Sequence, residues 1–152
     1  MIRRLAVLSA AAMLLSGCAL FVPEKRQAPA PTAAMTTVGP VADAVRTARP
    51  EFLQVEVGEN RDGLTTGVVV DAEVPFGYVV TGEVLATVLV SVWKASDPKP
   101  AFVKFNPWST YEGRKGAIKA QRAAEELGID WSPSLAAGVN VPDYEIKKLA
   151  GG

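Results

Sequence analysis

The chain has 152 residues, with 16 basic and 16 acidic side chains, no His and a single Cys. This length suits one small globular domain, and the even charge balance argues against nucleic acid as a partner. Without His, the sequence excludes imidazole bases, Ser-His-Asp triads and His-ligated zinc. One Cys provides neither an internal disulfide nor a Cys-ligated metal site. We therefore predict no metal, no cofactor and no catalytic residues of these kinds.

The first twenty residues have the pattern of an export signal. Arg3 and Arg4 precede an apolar run of 11 residues, Leu5 to Leu15, which is shorter than the roughly 20 residues that span a bilayer. Such a pattern is typical of a cleaved secretory signal peptide. The residues that follow, Leu15-Ser16-Gly17-Cys18, resemble the lipobox of bacterial lipoprotein signal peptides, and the one Cys of the chain stands at the position of the motif's Cys.

This resemblance implies that residues 1–17 are removed and that Cys18 carries a diacylglycerol and usually a further acyl chain such as palmitate. Two or three acyl chains hold a protein stably at a membrane surface. In that family an Asp directly after the Cys often retains the protein in the inner membrane, whereas this chain has Ala19. We therefore expect a lipid anchor in the outer membrane, facing the periplasm, if the source is Gram-negative. The alternative is an ordinary secretory signal with an incidental Cys.

Residues 18–50 are predicted to be a tether, because five Pro stand among Ala, Thr and Gln from Ala19 onward. In a polyproline-like conformation 32 residues reach roughly 100 Å, and as a flexible coil about 30 Å. Alternatively, Val41 to Arg49 forms a short helix that docks on the domain. The folded domain is expected to comprise residues 51–152.

The first part of the domain predicts β-strands. Phe52 to Val57 alternates between apolar and polar residues, as does Val68 to Val74, so both segments favour half-buried strands. Gly58 to Gly63 and Pro75-Phe76-Gly77 have the composition of turns. A further short strand is predicted over Ala101 to Phe105.

Tyr78 to Lys94 is rich in β-branched residues, which favours strand structure. A single straight strand of this length would exceed about 50 Å, so we expect a bend near Gly82 or two shorter strands. The segment would then be core or an edge that pairs with another chain. The alternative is a buried helix, because five apolar residues also have helical spacing: Val84, Leu85, Val88, Leu89 and Val92.

Ser109-Thr110-Tyr111-Glu112 matches the capping box that begins many helices. The Ala-rich sequence that follows predicts a helix to Leu127, with Gly128 as its C-terminal stop. After Ile129 we expect a loop with at most a short terminal element. Together these elements predict an α+β fold in which a small antiparallel β-meander is covered by one helix in the C-terminal half.

Charge is distributed unevenly along this domain. Residues 51–97 carry a net charge of −6, and residues 98–122 a net charge of +5. On the predicted helix, basic residues with i, i+4 and i+7 spacing share one face and a fourth flanks them. These candidate binding residues are Arg114, Lys115, Lys119 and Arg122. With Trp108 nearby, they are hypothesised to contact an anionic partner; a solvated face that offsets the acidic strands is the simpler alternative.

Three further patterns suggest chemistry more weakly. Ser91-Val92-Trp93-Lys94 matches the S-x-x-K pattern of penicillin-binding proteins and class A β-lactamases, but a strand would place its Ser and Lys on opposite faces, and the S-D-N and K-T-G motifs are absent. Asp71 and Glu73 share a strand face, as paired carboxylates of a glycosidase must share a cleft. The three Trp and three Tyr residues are enough for a sugar-stacking or protein-binding patch, although core packing explains most of them equally well.

Taken together, the sequence predicts a lipid-anchored envelope protein that acts by binding, as an accessory, scaffold or inhibitor of an envelope complex, and not as an enzyme. The expected partners are the membrane, through the anchor, and an envelope protein. The alternative is a small carboxylate-dependent hydrolase that acts on cell-wall material. The sequence does not indicate the oligomeric state.

Overall fold

The computed structural model describes residues 38–152, in which four helices and six strands form an α+β fold, as predicted. The helices are α1 (Val38–Ala48), α2 (Gly82–Ala95), α3 (Gln121–Leu127) and α4 (Asp143–Leu149). The strands are β1 (Gln54–Asp62), β2 (Thr65–Glu73), β3 (Phe102–Tyr111), β4 (Arg114–Ala117), β5 (Ser132–Pro133) and β6 (Val139–Pro142). The predicted signal peptide, the lipobox at residues 15–18 and the tether up to residue 37 lie outside the described residues.

The strands form one sheet in the order β1-β2-β3-β6-β5, and β4 pairs with the end of β3. Most neighbours are antiparallel, as predicted. The pair β2–β3 is parallel, so the chain departs there from a simple meander. Parallel neighbours require a crossover connection, and α2 lies in that connection.

The predicted strand over Tyr78 to Lys94 is wrong, and the helical alternative is correct. Helix α2 begins after Thr81, whose side chain accepts a hydrogen bond from the N–H of Val84 at 3.4 Å. All five apolar residues with helical spacing are buried in the core: Val84, Leu85, Val88, Leu89 and Val92. Val residues prefer strands, but this segment forms a helix because it connects two parallel strands and because the helix buries all five of these side chains.

The helix predicted from Ser109 is also wrong over its first half. Strand β3 continues to Tyr111, and Glu112 and Gly113 form the turn into β4 with φ values of 49° and 76°. Two positive φ values are typical of a type I′ hairpin turn, which suits the twist of the strands. The helix begins only at α3 and ends at Gly128 in the left-handed conformation, as predicted for its stop.

The folded domain begins earlier than residue 51, because α1 lies within the predicted tether. Val41 and Val45 of α1 are fully buried, and the guanidinium of Arg46 donates a hydrogen bond of 2.7 Å to the carbonyl of Val55 at the edge of the sheet. The docked-helix alternative is therefore correct. At the other end, the predicted loop contains β6, which pairs with β3, followed by the short helix α4.

The helices and the apolar strand residues form one core on one side of the sheet. Its strand members alternate along the chain and include Val55, Val68, Val70, Val103, Phe105 and Val141. The opposite side of the sheet, which we call the open face, carries the residues in between, among them Glu56, Val69, Asp71, Lys104, Asn106 and Trp108. None of the described helices has the length and apolar character needed to cross a membrane.

Candidate functional site

Polar residues form a row across three strands of the open face. Asp71 in β2 lies beside Glu56 in β1 and Asn106 in β3. The Nδ2 atom of Asn106 donates a hydrogen bond of 2.9 Å to Oδ1 of Asp71. In the neighbouring row, the hydroxyl of Thr110 donates to Oε1 of Glu73 at 2.9 Å. These bonds orient the carboxylates of Asp71 and Glu73 along the sheet.

Trp108 is the register partner of Glu73 on one side and of Ala117 in β4 on the other, so it lies beside the row formed by Glu56, Asp71 and Asn106. Because β4 runs back along β3, Lys115 is brought over the indole, with its Nζ 3.8 Å from the ring centroid. This distance is typical of a cation–π contact. The ring of Trp108 is half-buried, and Lys115 is exposed. The aromatic ring therefore faces outward, with an ammonium group above it.

The connection between β5 and β6 folds over Asn106. In this 134–138 loop, the N–H of Ser134 donates to the carbonyl of Gly138, and the N–H of Gly138 donates to the carbonyl of Leu135, at 3.1 and 2.9 Å. Gly138 approaches so closely that a Cβ atom there would collide with Oδ1 of Asn106. Leu135 remains 73% exposed at the rim.

A groove of about 320 Å³ lies between this loop, Trp108 and the polar row. We call it the Trp108 groove; its walls include Glu56, Asp71, Asn106, Trp108, Lys115 and Leu135. Asn106 and Leu135 also line a second depression of about 450 Å³, together with Asn60, Lys104 and Asn140. The open face therefore carries two recesses that share Asn106 and Leu135 as wall residues.

Unpartnered polar atoms are concentrated at the 134–138 loop. Asn106 is only 8% exposed, and its Oδ1 has no hydrogen-bond partner in the described part of the chain. The same is true of Oδ1 of Asn140 and Oγ of Ser134, both buried on this face. A buried polar atom without a partner costs about 1–3 kcal/mol. Three such atoms at one place mark unused capacity for hydrogen bonding.

A second polar cluster lies on the helical side and joins α1 to α2. The guanidinium of Arg49 donates to the carbonyl of Glu83 at 2.9 Å and to the hydroxyl of Thr87 at 2.8 Å, while the hydroxyl of Tyr78 donates to Glu51 at 2.8 Å. Burial and the bond to Glu51 raise the pKa of Tyr78 to about 12. Burial opposes ionisation of Glu51, but hydrogen bonds from its own backbone and from Tyr78, together with the charge of Arg49, lower its pKa. These contacts connect the end of α1, the segment that contains Tyr78, and α2.

The structure does not unite the four basic residues predicted as a site. Arg114 and Lys115 lie in β4, Lys119 in the following loop, and Arg122 in α3, where its Nε pairs with Glu126 at 3.4 Å. Their common helix face is absent because the first half of that helix is a β-hairpin. Of the four, Lys115 reaches Trp108. Binding of an anionic partner stays a prediction, without the shared face on which it was based.

The weaker candidates have different outcomes. Ser91 and Lys94 lie on α2, so the strand argument against this pair was wrong, although the S-D-N and K-T-G motifs are still missing. Asp71 and Glu73 do share the open face. Asn106 and the 134–138 loop were missed. The alternation of polar and apolar residues along β3 is the signal that indicates an outward-facing Asn106.

No protein-family model matches the chain, and no curated protein or solved structure matches it. Within residues 38–152, no cluster of three or more carboxylate, His or Cys side chains is arranged to hold a metal ion. What the Trp108 groove contains instead is an aromatic ring, an ammonium group, carboxylates and amides.

Proposed function

We propose that this protein is a lipid-anchored component of the bacterial cell envelope that acts by binding through the open face of its sheet. The location rests on the lipobox resemblance at residues 15–18, with Cys18 as the site of lipid attachment. The mode of action rests on one observation: the Trp108 groove combines an aromatic ring and an ammonium group with two carboxylates and with Asn106, whose Oδ1 has no partner within residues 38–152. A role as an accessory, scaffold or inhibitor, and a protein partner, stay predictions from the sequence.

Binding is favoured over catalysis by the arrangement of the carboxylates. Glycoside cleavage requires two acids on opposite sides of the scissile bond. Asp71 and Glu73 instead lie on one open sheet face, and each accepts a hydrogen bond from a neutral side chain. Such bonds fix the orientation of the carboxylates. Fixed carboxylates can accept hydrogen bonds from a bound ligand.

Photocrosslinking in intact cells tests this proposal. A photoreactive side chain replaces Ala117, an exposed residue of the Trp108 groove, or, as a matched control, Thr47, an exposed residue of α1. We expect an envelope component to be captured from position 117 and not from position 47. The capture should disappear when Cys18→Ser removes the anchor. Capture only from position 47, or capture unaffected by Cys18→Ser, would contradict the proposal.

A second candidate is a small carboxylate-dependent hydrolase of cell-wall material. The observation in its favour is that Glu56 and Asp71 are register partners on adjacent strands and both line the Trp108 groove. Digestion of purified cell wall, followed by analysis of the released fragments, tests it. An activity that is abolished separately by Glu56→Gln and by Asp71→Asn would replace the binding proposal.

A further inference from the structure

We propose that the ligand of the Trp108 groove is an uncharged saccharide unit, an inference that rests on the proposed binding function. At about 320 Å³, the groove lies within the range of small-ligand sites, which is roughly 300–1,000 Å³. Three properties of its walls identify the ligand class. These are the balance of charge, the excess of hydrogen-bond acceptors and the outward-facing indole.

The charges in the groove disfavour an ionic ligand. Glu56 and Asp71 line one part of the wall and would repel an anion. Lys115 already holds the position over the face of Trp108 that a cationic ligand would occupy. Since an anion meets two carboxylates and a cation meets an ammonium group, the walls suit an uncharged molecule.

The hydrogen-bonding groups demand a ligand that is rich in donors. The carboxylates of Glu56 and Asp71 are acceptors, and one oxygen of each is engaged by an amide of the protein. Asn106, which also lines the groove, is more than nine-tenths buried and orients the Asp71 carboxylate through its Nδ2 group. Lys115 supplies donors on the other side. Sugar hydroxyls donate to such acceptors and accept from such an ammonium group.

The apolar surfaces of the groove explain how such a ligand is held. A sugar ring has polar edges and C–H faces, and a C–H face packs against an indole, whose ring carries a negative electrostatic face. Lys115 covers one face of Trp108, so the C–H groups of a sugar pack against the part of the ring that lines the groove, and Leu135, 73% exposed, adds an apolar contact at the rim. A second recess, which shares Asn106 and Leu135 with the groove, offers further polar groups at Lys104 and Asn140.

Two probes test the inference on the full chain purified in detergent. The soluble probe is triacetylchitotriose, and the polymeric probe is purified cell-wall sacculi. We expect the indole N–H signal of Trp108 to shift in NMR spectra with the first, or the protein to cosediment with the second. Binding to the soluble probe alone identifies a free saccharide, and binding to sacculi alone identifies the wall polymer; either result supports the inference.

Matched variants assign the binding to the groove. Trp108→Ala should weaken binding about tenfold or more, as expected for a central aromatic contact. Trp93→Ala, on the helical side, should leave it unchanged. Asp71→Asn provides a second variant, because its Oδ1 still accepts from Asn106 while the other oxygen becomes an NH2 group. This variant should also weaken binding, and thermal unfolding confirms that each variant folds.

Two results would overturn the inference. One is that the wild-type protein binds neither probe, and the other is that folded Trp108→Ala and Asp71→Asn bind as tightly as the wild type. The proposed function fails separately. If crosslinking from position 117 captures a protein while neither saccharide probe binds, the groove is a binding site and the ligand class is wrong.

Discussion

The two faces of the sheet differ in packing and in hydrogen bonding. On the helical side, α1 and α2 pack against the sheet through Val and Leu side chains that are fully buried. On the open face, a loop, an indole and a polar row leave a groove and three buried polar atoms without partners in the described residues. Because apolar burial supplies most of the folding free energy, the helical side can hold the fold together while the open face keeps unused hydrogen-bonding groups. Substitutions should therefore separate stability from binding.

The largest loss of stability is expected from Leu89→Ala in α2, on the helical side. Leu89 is fully buried between the helices and the sheet, so its truncation should lower the free energy of unfolding by about 2–5 kcal/mol. Urea denaturation measures this loss, and the exposed control Lys94→Ala should change it by less than about 0.5 kcal/mol. The folded fraction of Leu89→Ala should still bind at the groove. Equal effects of the two substitutions would show that α2 is not a core element.

Gly138→Ala, on the open face, should lower both stability and ligand binding. The added Cβ would collide with the side chain of Asn106, so the 134–138 loop must shift. We expect a loss of about 1–3 kcal/mol in unfolding free energy, as for other overpacked sites, and weaker ligand binding. Gly58→Ala is the matched control, because a Cβ there meets open space. Unchanged stability of Gly138→Ala would mean that the loop does not pack on Asn106 in solution.

Tyr78→Phe should act on the helical side alone. Loss of the hydrogen bond to the Glu51 carboxylate should cost about 1–2 kcal/mol at neutral pH. Since the folded state raises the pKa of Tyr78 from 10.0 to about 12, the folded protein holds this proton more tightly than the unfolded chain. The resulting stability is present below pH 10 and is lost as the pH rises to about 12. Tyr78→Phe should flatten that decline in denaturation series, whereas Tyr111→Phe should retain it.

The smallest change in stability is expected at the turn between β3 and β4. This turn reverses the chain so that Lys115 in β4 lies beside Trp108. Glu112 has a φ of 49°, an unfavourable conformation for this residue. Replacing it by Asn creates the Asn-Gly pair favoured in type I′ turns and should stabilise the protein by about 0.5 kcal/mol. A shift of the thermal midpoint to higher temperature checks this. A lower midpoint would argue against the turn assignment.

Local patterns allowed part of this fold to be predicted. The alternation from Val68 to Val74 places buried residues on one side of β2 without reference to any other segment. Gly128 ends α3 because its left-handed conformation suits glycine. Part of the candidate site could also be predicted. Lys115 was singled out on a predicted helix and Trp108 as a residue near it, whereas a β-hairpin brings the two together.

What the chain determines by itself is the set of short-range features: the strand alternation, the glycine stop and the single Cys within a lipobox-like motif. The tertiary structure decided whether Gly82 to Ala95 is strand or helix, because only the parallel pairing of β2 with β3 requires a crossover there. The tertiary structure also determined which residues come together in the candidate site. Asp71, Asn106 and Gly138 are distant in sequence, and their contacts depend on strand register, which the pairing of separate segments sets.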